Sequence, residues 1–413
     1  MPYKISSLLK WFYPGIGVKR WIALSLFGII ILVFSAGRLR GEEFLLFKIL
    51  DAVILFSGII ILILGVKRML RSLIAVFVPA SRGLEIFDII YQNKQINRGP
   101  KVVVVGGGTG LSVLLTGLKQ FTSNISAIVT VADDGGSSGR IREEFDILPP
   151  GDIRNCLVAL ADAPALMRDL FQFRFDTNSE LSGHSFGNLF ITVMTRLTGD
   201  FEKAIKETSK VLALRGQVIP STLNKVVLAA KHKDGTTTVG ENNIPKTHRS
   251  IERVYLSPDK PQATPDAIRA IKEAQVIVLG PGSLYTSIIP NLLIKEITEA
   301  MVSSDAVKVH VCNAMTQPGE TDGYSASEHI KSLVTHSHPK VIDYCVVNTA
   351  EVPKDILRRY AGQGSYLVAN DRKKIEDMGY RVIEDDFVII EDSLIRHDHL
   401  KLAKIILGLI EEI

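Results

Sequence analysis

Polar and apolar positions follow two regimes along this chain. Near the N-terminus the apolar residues run together: residues 21–37 hold no charge over 17 positions, just enough to cross a hydrocarbon core of about 30 Å at about 1.5 Å per helical residue. A second run, residues 44–66, carries only Lys48 and Asp51, placed where they can pair at i,i+3 or reach the interface. No small-residue cleavage site follows the first run and the second comes at once. The pattern therefore predicts two spans rather than a cleaved signal peptide. Lys4, Lys10, Lys19 and Arg20 precede the spans, and Lys67, Arg68, Arg71 and Arg82 follow them. The loop between them balances Arg38 and Arg40 with Glu42 and Glu43. Basic flanks stay on the cytoplasmic side, so the expectation is a multi-pass cell-membrane protein, held through residues 21–66, with both termini in the cytoplasm.

Beyond residue 100 the pattern changes to short β-branched runs alternating with helix-period segments, the mark of a parallel sheet with crossover helices. Residues 102–105 lead into Gly106, Gly107, Gly108, Thr109 and Gly110; Leu111, Leu114, Leu115 and Leu118 then recur at helical spacing before a strand at 125–132. Further strands are expected at 276–279, 307–312, 342–347, and 382–383 with 387–390. Residues 225–232 and 236–239, joined around Asp234 and Gly235, read as an antiparallel hairpin, and 400–413 as a helix. The expected fold class is thus α/β: a Rossmann-like, doubly wound, mostly parallel sheet with a small antiparallel hairpin, preceded by two transmembrane helices. The corresponding domains are an anchor at 1–72, a juxtamembrane linker at 73–99 containing a helix-period stretch at 84–91, and a nucleotide-binding body at 100–413.

Charge sharpens this division. The first 100 residues hold 13 Lys or Arg against 5 Asp or Glu, so the net +4 of the chain is +8 there and −4 beyond. A mildly acidic body excludes general nucleic-acid binding, which needs a basic stripe. Cys156, Cys312 and Cys345 show no paired spacing and read as buried thiols in a reducing compartment.

Candidate chemistry sits in polar loops that follow strands. Glycines let the backbone approach phosphate oxygens, and a helix starting there adds its positive dipole end. Gly107, Gly108, Thr109 and Gly110 have this form, although Leu111 breaks a full dinucleotide fingerprint. Asp133, 23 residues after Gly110, stands where such a unit places its ribose-reading carboxylate. Asp133 and Asp134 are candidates for a ribose hydroxyl or for Mg²⁺, and Ser137 and Ser138 for phosphate. Pro149 and Pro150 set up Asp152 as a helix N-cap, with Arg154 and Asn155 at the helix start. His184 is a candidate proton donor and Asn188 a ligand contact. Gly282 and Ser283 follow one strand, Asn313 and Thr316 the next. Tyr360 can stack on a base or sugar, and Arg396 can fork onto a diphosphate. The catalytic candidates are Asp133, Asp134 and His184. The pairs His336/His338 and His397/His399 have no third ligand or cysteine pair, so zinc is not expected; nor is haem or flavin.

Taken together, the segments 106–111, 132–140, 149–155, 183–189, 280–291 and 313–321 resemble the YvcK/CofD-like family, in order and from about residue 101 to the end. The resemblance is closest to the YvcK branch, the bacterial gluconeogenesis factors. It implies a Rossmann-like fold and binding of UDP-sugars such as UDP-N-acetylglucosamine, with a regulatory role in cell shape and envelope synthesis on gluconeogenic carbon sources. It also implies a homodimer, with regulatory protein partners unspecified. The sister branch, 2-phospho-L-lactate transferase, implies an alternative: a Mg²⁺-dependent phosphotransferase acting on a nucleotide-activated donor. The N-terminal hairpin is a departure from the soluble form of the family.

Overall fold

The computed structural model describes residues 18–38, 44–77, 95–176, 181–391 and 394–411. The stretch at 84–91 lies outside them. The chain divides into two compact units, Met1–Asn93 and Lys94–Ile413.

In the first unit, helices α1 (Val18–Arg38) and α2 (Leu45–Phe77) form an antiparallel pair, each long and apolar enough to cross a membrane. Small residues allow the backbones to approach: a Cβ on Gly28 would lie 2.8 Å from the Leu62 nitrogen, and Gly65 abuts Ser25. Asp51 is buried, and its carboxylate lies 3.3 Å from Arg38 Nε rather than pairing with Lys48. The Ser35 hydroxyl donates to the Asp51 carbonyl. At the other end, the Arg68 guanidinium sits 4.8 Å from the Trp21 ring centroid.

The second unit is built on a seven-stranded sheet. Its elements run β1 (Val102–Gly106), α3 (Gly108–Leu118), β2 (Ile125–Val129), α4 (Gly136–Phe145), α5 (Gly151–Leu160), α6 (Ala165–Gln172), α7 (Phe186–Thr198), α8 (Phe201–Val211) and β3 (Gln217–Pro220). Then come β4 (Val227–His232), β5 (Thr237–Val239), β6 (Ile251–Ser257), α9 (Pro265–Glu273), β7 (Val276–Leu279), α10 (Ile289–Leu292), α11 (Lys295–Ser303) and β8 (Val307–Val311). The last part holds α12 (Ala326–His336), β9 (Tyr344–Asn348), α13 (Lys354–Ala361), α14 (Arg372–Asp377), β10 (Arg381–Asp385), β11 (Val388–Glu391), β12 (Leu394–His397) and α15 (His399–Glu411).

The sheet order is β10-β9-β8-β7-β1-β2-β3, with all pairings parallel. Strands β1, β2, β7 and β8 are buried at every position, as a parallel sheet covered on both faces requires. The hairpin of β4 and β5 is present, and it is joined by β6 into a three-stranded antiparallel sheet. Three strands, β3, β6 and β12, are not among those expected from the sequence. β3 is a four-residue edge strand ending in Pro220, β12 is four residues long, and β6 breaks the alternation of a half-buried strand where Glu252 and Arg253 are both exposed. Residues 382–383 are part of β10, which closes the parallel sheet, whereas β11 pairs with β12 in a separate ribbon.

The strand order reverses direction at β1. From there the chain builds outward through β2 and β3 on one side, and through β7 to β10 on the other. The crevice above the carboxyl ends of β1 and β7 is the place where such sheets take ligands.

Candidate functional site

The loops leaving β1 and β7 meet at this switch point. Gly107 is extended, and Gly108 adopts φ +68° to turn into α3. The β7 loop packs so closely that a Cβ on Gly110 would lie 2.8 Å from the Pro281 carbonyl oxygen. Gly282, at φ +157°, lies against the Gly107 carbonyl. The close approach explains why both loops are rich in glycine.

Around this contact lies a cleft of about 550 Å³. Gly107, Gly108, Thr109, Gly110, Gly282, Ser283, Asn313, Thr316, Tyr360 and Arg396 all line it, coming from five separate segments. Thr109 and Gly110 belong to the first turn of α3, where N–H groups have no intrahelical acceptor. The polar groups of the opposite wall are tied into the protein itself. The Asn313 amide donates to the Gly282 carbonyl at 2.7 Å and accepts from its N–H at 3.1 Å, clamping the loop. The Ser283 hydroxyl donates to Glu320 and accepts from Thr286. The Thr316 hydroxyl accepts from the Tyr366 N–H at 2.9 Å. The Tyr360 hydroxyl accepts from the Ile395 N–H at 3.0 Å, holding β12 over the cleft. Arg396, exposed on β12, makes no ion pair among the described residues.

The remaining candidates form a second polar cluster beside the cleft. Asp152 links the two. The structure places it in the first turn of α5, behind Pro150 at the cap position, so it does not cap its own helix. Its carboxylate accepts instead from the Gly108 N–H, and it lies so near Gly107 that no Cβ could fit there. Burial, reinforced by the Asp133 charge, pushes Asp152 up to about 7. Asp133 is also raised, first by burial, against the opposing effect of hydrogen bonds from the Gly135 N–H and Ser138. Glu241, between β5 and β6, was missed by sequence reasoning because nothing marks a lone glutamate. Burial and the charges of Asp152, Asp133 and Asp134 push it well above the carboxylate range, and its Oε2 has no hydrogen-bond partner.

Asp133 and Asp134 point apart. Asp133 accepts from Gly135 at 2.9 Å and faces Gly151 and Ser138, whereas Asp134 accepts from the Asn242 N–H at 2.8 Å beside Gly240. Among the described residues no three His, Cys, Asp or Glu side chains converge on a point where an ion could sit. The two aspartates therefore face different neighbours rather than one common point. Of the histidine pairs, His336 Nε2 accepts from the Val254 N–H at 3.1 Å, and His397 lies against the Phe387 ring, burial lowering its pKa to about 4 while its Nδ1 has no hydrogen-bond partner among the described residues.

Below Asp133, Ser137 joins His184 Nδ1 and the Asn188 amide, each at 3.1 Å. Ser185 caps α7 and accepts from Arg154, whose other branch donates to Asn155 at 2.7 Å. Burial lowers both His184 and Arg154. These side chains thus meet one another, Arg154 also interacting electrostatically with Asp133, while none of them lines the 550 Å³ cleft.

The family described as 2-phospho-L-lactate transferase CofD matches residues 102–388. The gluconeogenesis factor of Bacillus subtilis is 49% identical over 76% of this chain and 99% of its own. A relative from a Nostoc species is 43% identical over 98% of this chain and 93% of its own, a span that includes the N-terminal helices. A crystal structure from Bacillus halodurans is similar at 48% identity and a TM-score of 0.74, over 75% of this chain and 99% of that one.

Proposed function

The chain belongs to the CofD/YvcK family, and from that membership we propose that its switch-point cleft binds a UDP-sugar, such as UDP-N-acetylglucosamine, to regulate envelope metabolism and cell shape under gluconeogenic growth. The observation that carries this reading is the meeting of two glycine loops at the head of β1 and β7, with Arg396 opposite and in no ion pair among the described residues. The α3 terminus and the exposed guanidinium supply the complement to a diphosphate. Tyr360 and the β12 ribbon give a wall for the base or sugar. The apolar helices α1 and α2 hold this body at the cytoplasmic face of the membrane.

Titration calorimetry of the full chain in detergent, with UDP-N-acetylglucosamine, UDP-glucose and UDP, tests the proposal. Saturable binding of the UDP-sugars supports it, and heat no greater than dilution for all three rejects it. A transferase reading is favoured by one observation: a carboxyl near neutrality, Asp152, beside the α3 turn. Release of free nucleotide from a nucleotide-activated donor, with Mg²⁺ and an acceptor present, would favour that reading over pure sensing.

A further inference from the structure

The polar wall of the switch-point cleft is spent within the protein at Asn313, Ser283, Thr316 and Tyr360, whereas two glutamines on the same wall are differently placed. The backbone of Gln317 is held three ways. Its N–H donates to the Thr321 hydroxyl at 2.9 Å, and its carbonyl accepts from the Glu320 and Thr321 N–H groups at 3.1 and 2.9 Å. Its carboxamide makes no hydrogen bond among the described residues, although Oε1 is buried. Gln363 repeats the pattern: its N–H donates to the Tyr360 carbonyl at 2.9 Å, and its exposed carboxamide is unbonded among the described residues.

Both side chains line the cleft, and the fold brings their loops together. Residues 314–316 and 365–368 run antiparallel, with Met315 bridging Leu367. The Thr316 N–H donates to the Tyr366 carbonyl at 2.7 Å, the Val368 N–H to the Ala314 carbonyl at 3.0 Å, and the Ser365 hydroxyl to the Thr316 carbonyl at 2.7 Å. One step further along, a Cβ on Gly364 would lie 3.7 Å from the Pro318 ring. Gln317 and Gln363 are the residues that precede Pro318 and Gly364, so they flank this contact.

A carboxamide offers one acceptor and two donors. A phosphate oxygen brings no proton and leaves Oε1 unsatisfied, whereas a ligand N–H beside a C=O meets both halves of an amide at once. Leaving such a buried group unpaired beneath a bound ligand costs free energy, and in this way a site built to hydrogen-bond one group rejects the analogue that lacks it. We propose that Gln317 and Gln363 are specificity-determining residues of the cleft, pairing with an adjacent N–H and C=O on the ligand. A nucleotide sugar carries that couple in two places, the imide of uracil and the acetamido group of an N-acetylated sugar. The inference rests on the nucleotide-sugar reading and deepens it: the glycine loops and Arg396 take the diphosphate, and the glutamines select what is attached to it.

The test uses residues 95–413, since the Bacillus halodurans relative, 99% covered by three quarters of this chain, folds without the preceding segment. Calorimetry compares UDP-N-acetylglucosamine, UDP-glucose and CDP-glucose on the wild type, Gln317→Leu and Gln363→Leu. In the wild type at least one affinity ratio should reach about tenfold: UDP-glucose over CDP-glucose where the imide is read, UDP-N-acetylglucosamine over UDP-glucose where the acetamido group is. Each variant, with an unchanged melting temperature, should bring that ratio to within about threefold of unity while its affinity for the poorer ligand of the pair stays as in the wild type. Gln363→Leu, at an exposed position, is the readout if Gln317→Leu does not fold. Wild-type ratios both near unity, or a ratio that either folded variant retains, would overturn the inference and leave the nucleotide-sugar reading standing. No saturable binding of any of the three ligands to the wild type would overturn both.

Discussion

Replacing Asp152 by Asn should stabilise the body, and the gain should grow with pH. In the folded state Asp152 titrates near 7, against 3.8 for the free side chain. The folded state therefore holds a proton that the unfolded chain has released, so wild-type stability falls as pH rises from about 4 to about 7 and is flat beyond. At about 1.36 kcal/mol per unit, the three-unit rise corresponds to about 4 kcal/mol in all, of which about 3 kcal/mol falls between pH 5 and pH 8. Asparagine is nearly isosteric, keeps an oxygen to accept from Gly108, and does not titrate. Urea unfolding of residues 95–413 at both pH values measures the difference directly. The stability of Asp152→Asn relative to wild type should be about 3 kcal/mol larger at pH 8 than at pH 5. A difference within 1 kcal/mol of zero, or one of opposite sign, would refute the reasoning.

Other outcomes follow from the same geometry. Gly110→Ala forces a Cβ to 2.8 Å from the Pro281 carbonyl oxygen, where backbone faces backbone; it should cost about 1–3 kcal/mol in unfolding experiments and weaken UDP-sugar binding by separating the loops. Arg396→Ala removes an exposed side chain without an ion pair among the described residues, so calorimetry should show affinity reduced tenfold or more while the melting temperature moves by less than 1 °C, about 0.7 kcal/mol or less for a domain of this size. The full chain should remain in the membrane pellet after alkaline carbonate extraction, whereas residues 95–413 should remain in the supernatant.

The parallel core was legible because its strands are buried on both faces and therefore written as unbroken β-branched runs, as at 102–105, 276–279 and 307–311. Strands β3, β6 and β12 were not, since β3 and β12 span only four residues each and β6 breaks alternation at Glu252 and Arg253. The glycine loops declared themselves because close approach of two backbones excludes side chains. What those loops leave open is which neighbouring polar groups remain free. Asn313, Ser283 and Thr316 lie on the cleft as their loops suggest, yet their hydrogen bonds are spent within the protein. The role of Asp152 could not be read from its own helix, because its hydrogen-bond partner, Gly108, is 44 residues away. Glu241 and Glu320 reach the site through long-range packing, which leaves no local pattern. Asp133 and Asp134 are adjacent, and the alternation of side chains at a strand end sends them to different partners.

The most direct test of the central claim is a crystal structure of residues 95–413 grown with UDP-N-acetylglucosamine. The account predicts diphosphate density over the first turn of α3, between residues 107–110 and 281–283, with Arg396 within hydrogen-bond distance of a phosphate oxygen. Ligand density elsewhere on the body, with the switch-point cleft filled only by solvent, would contradict it.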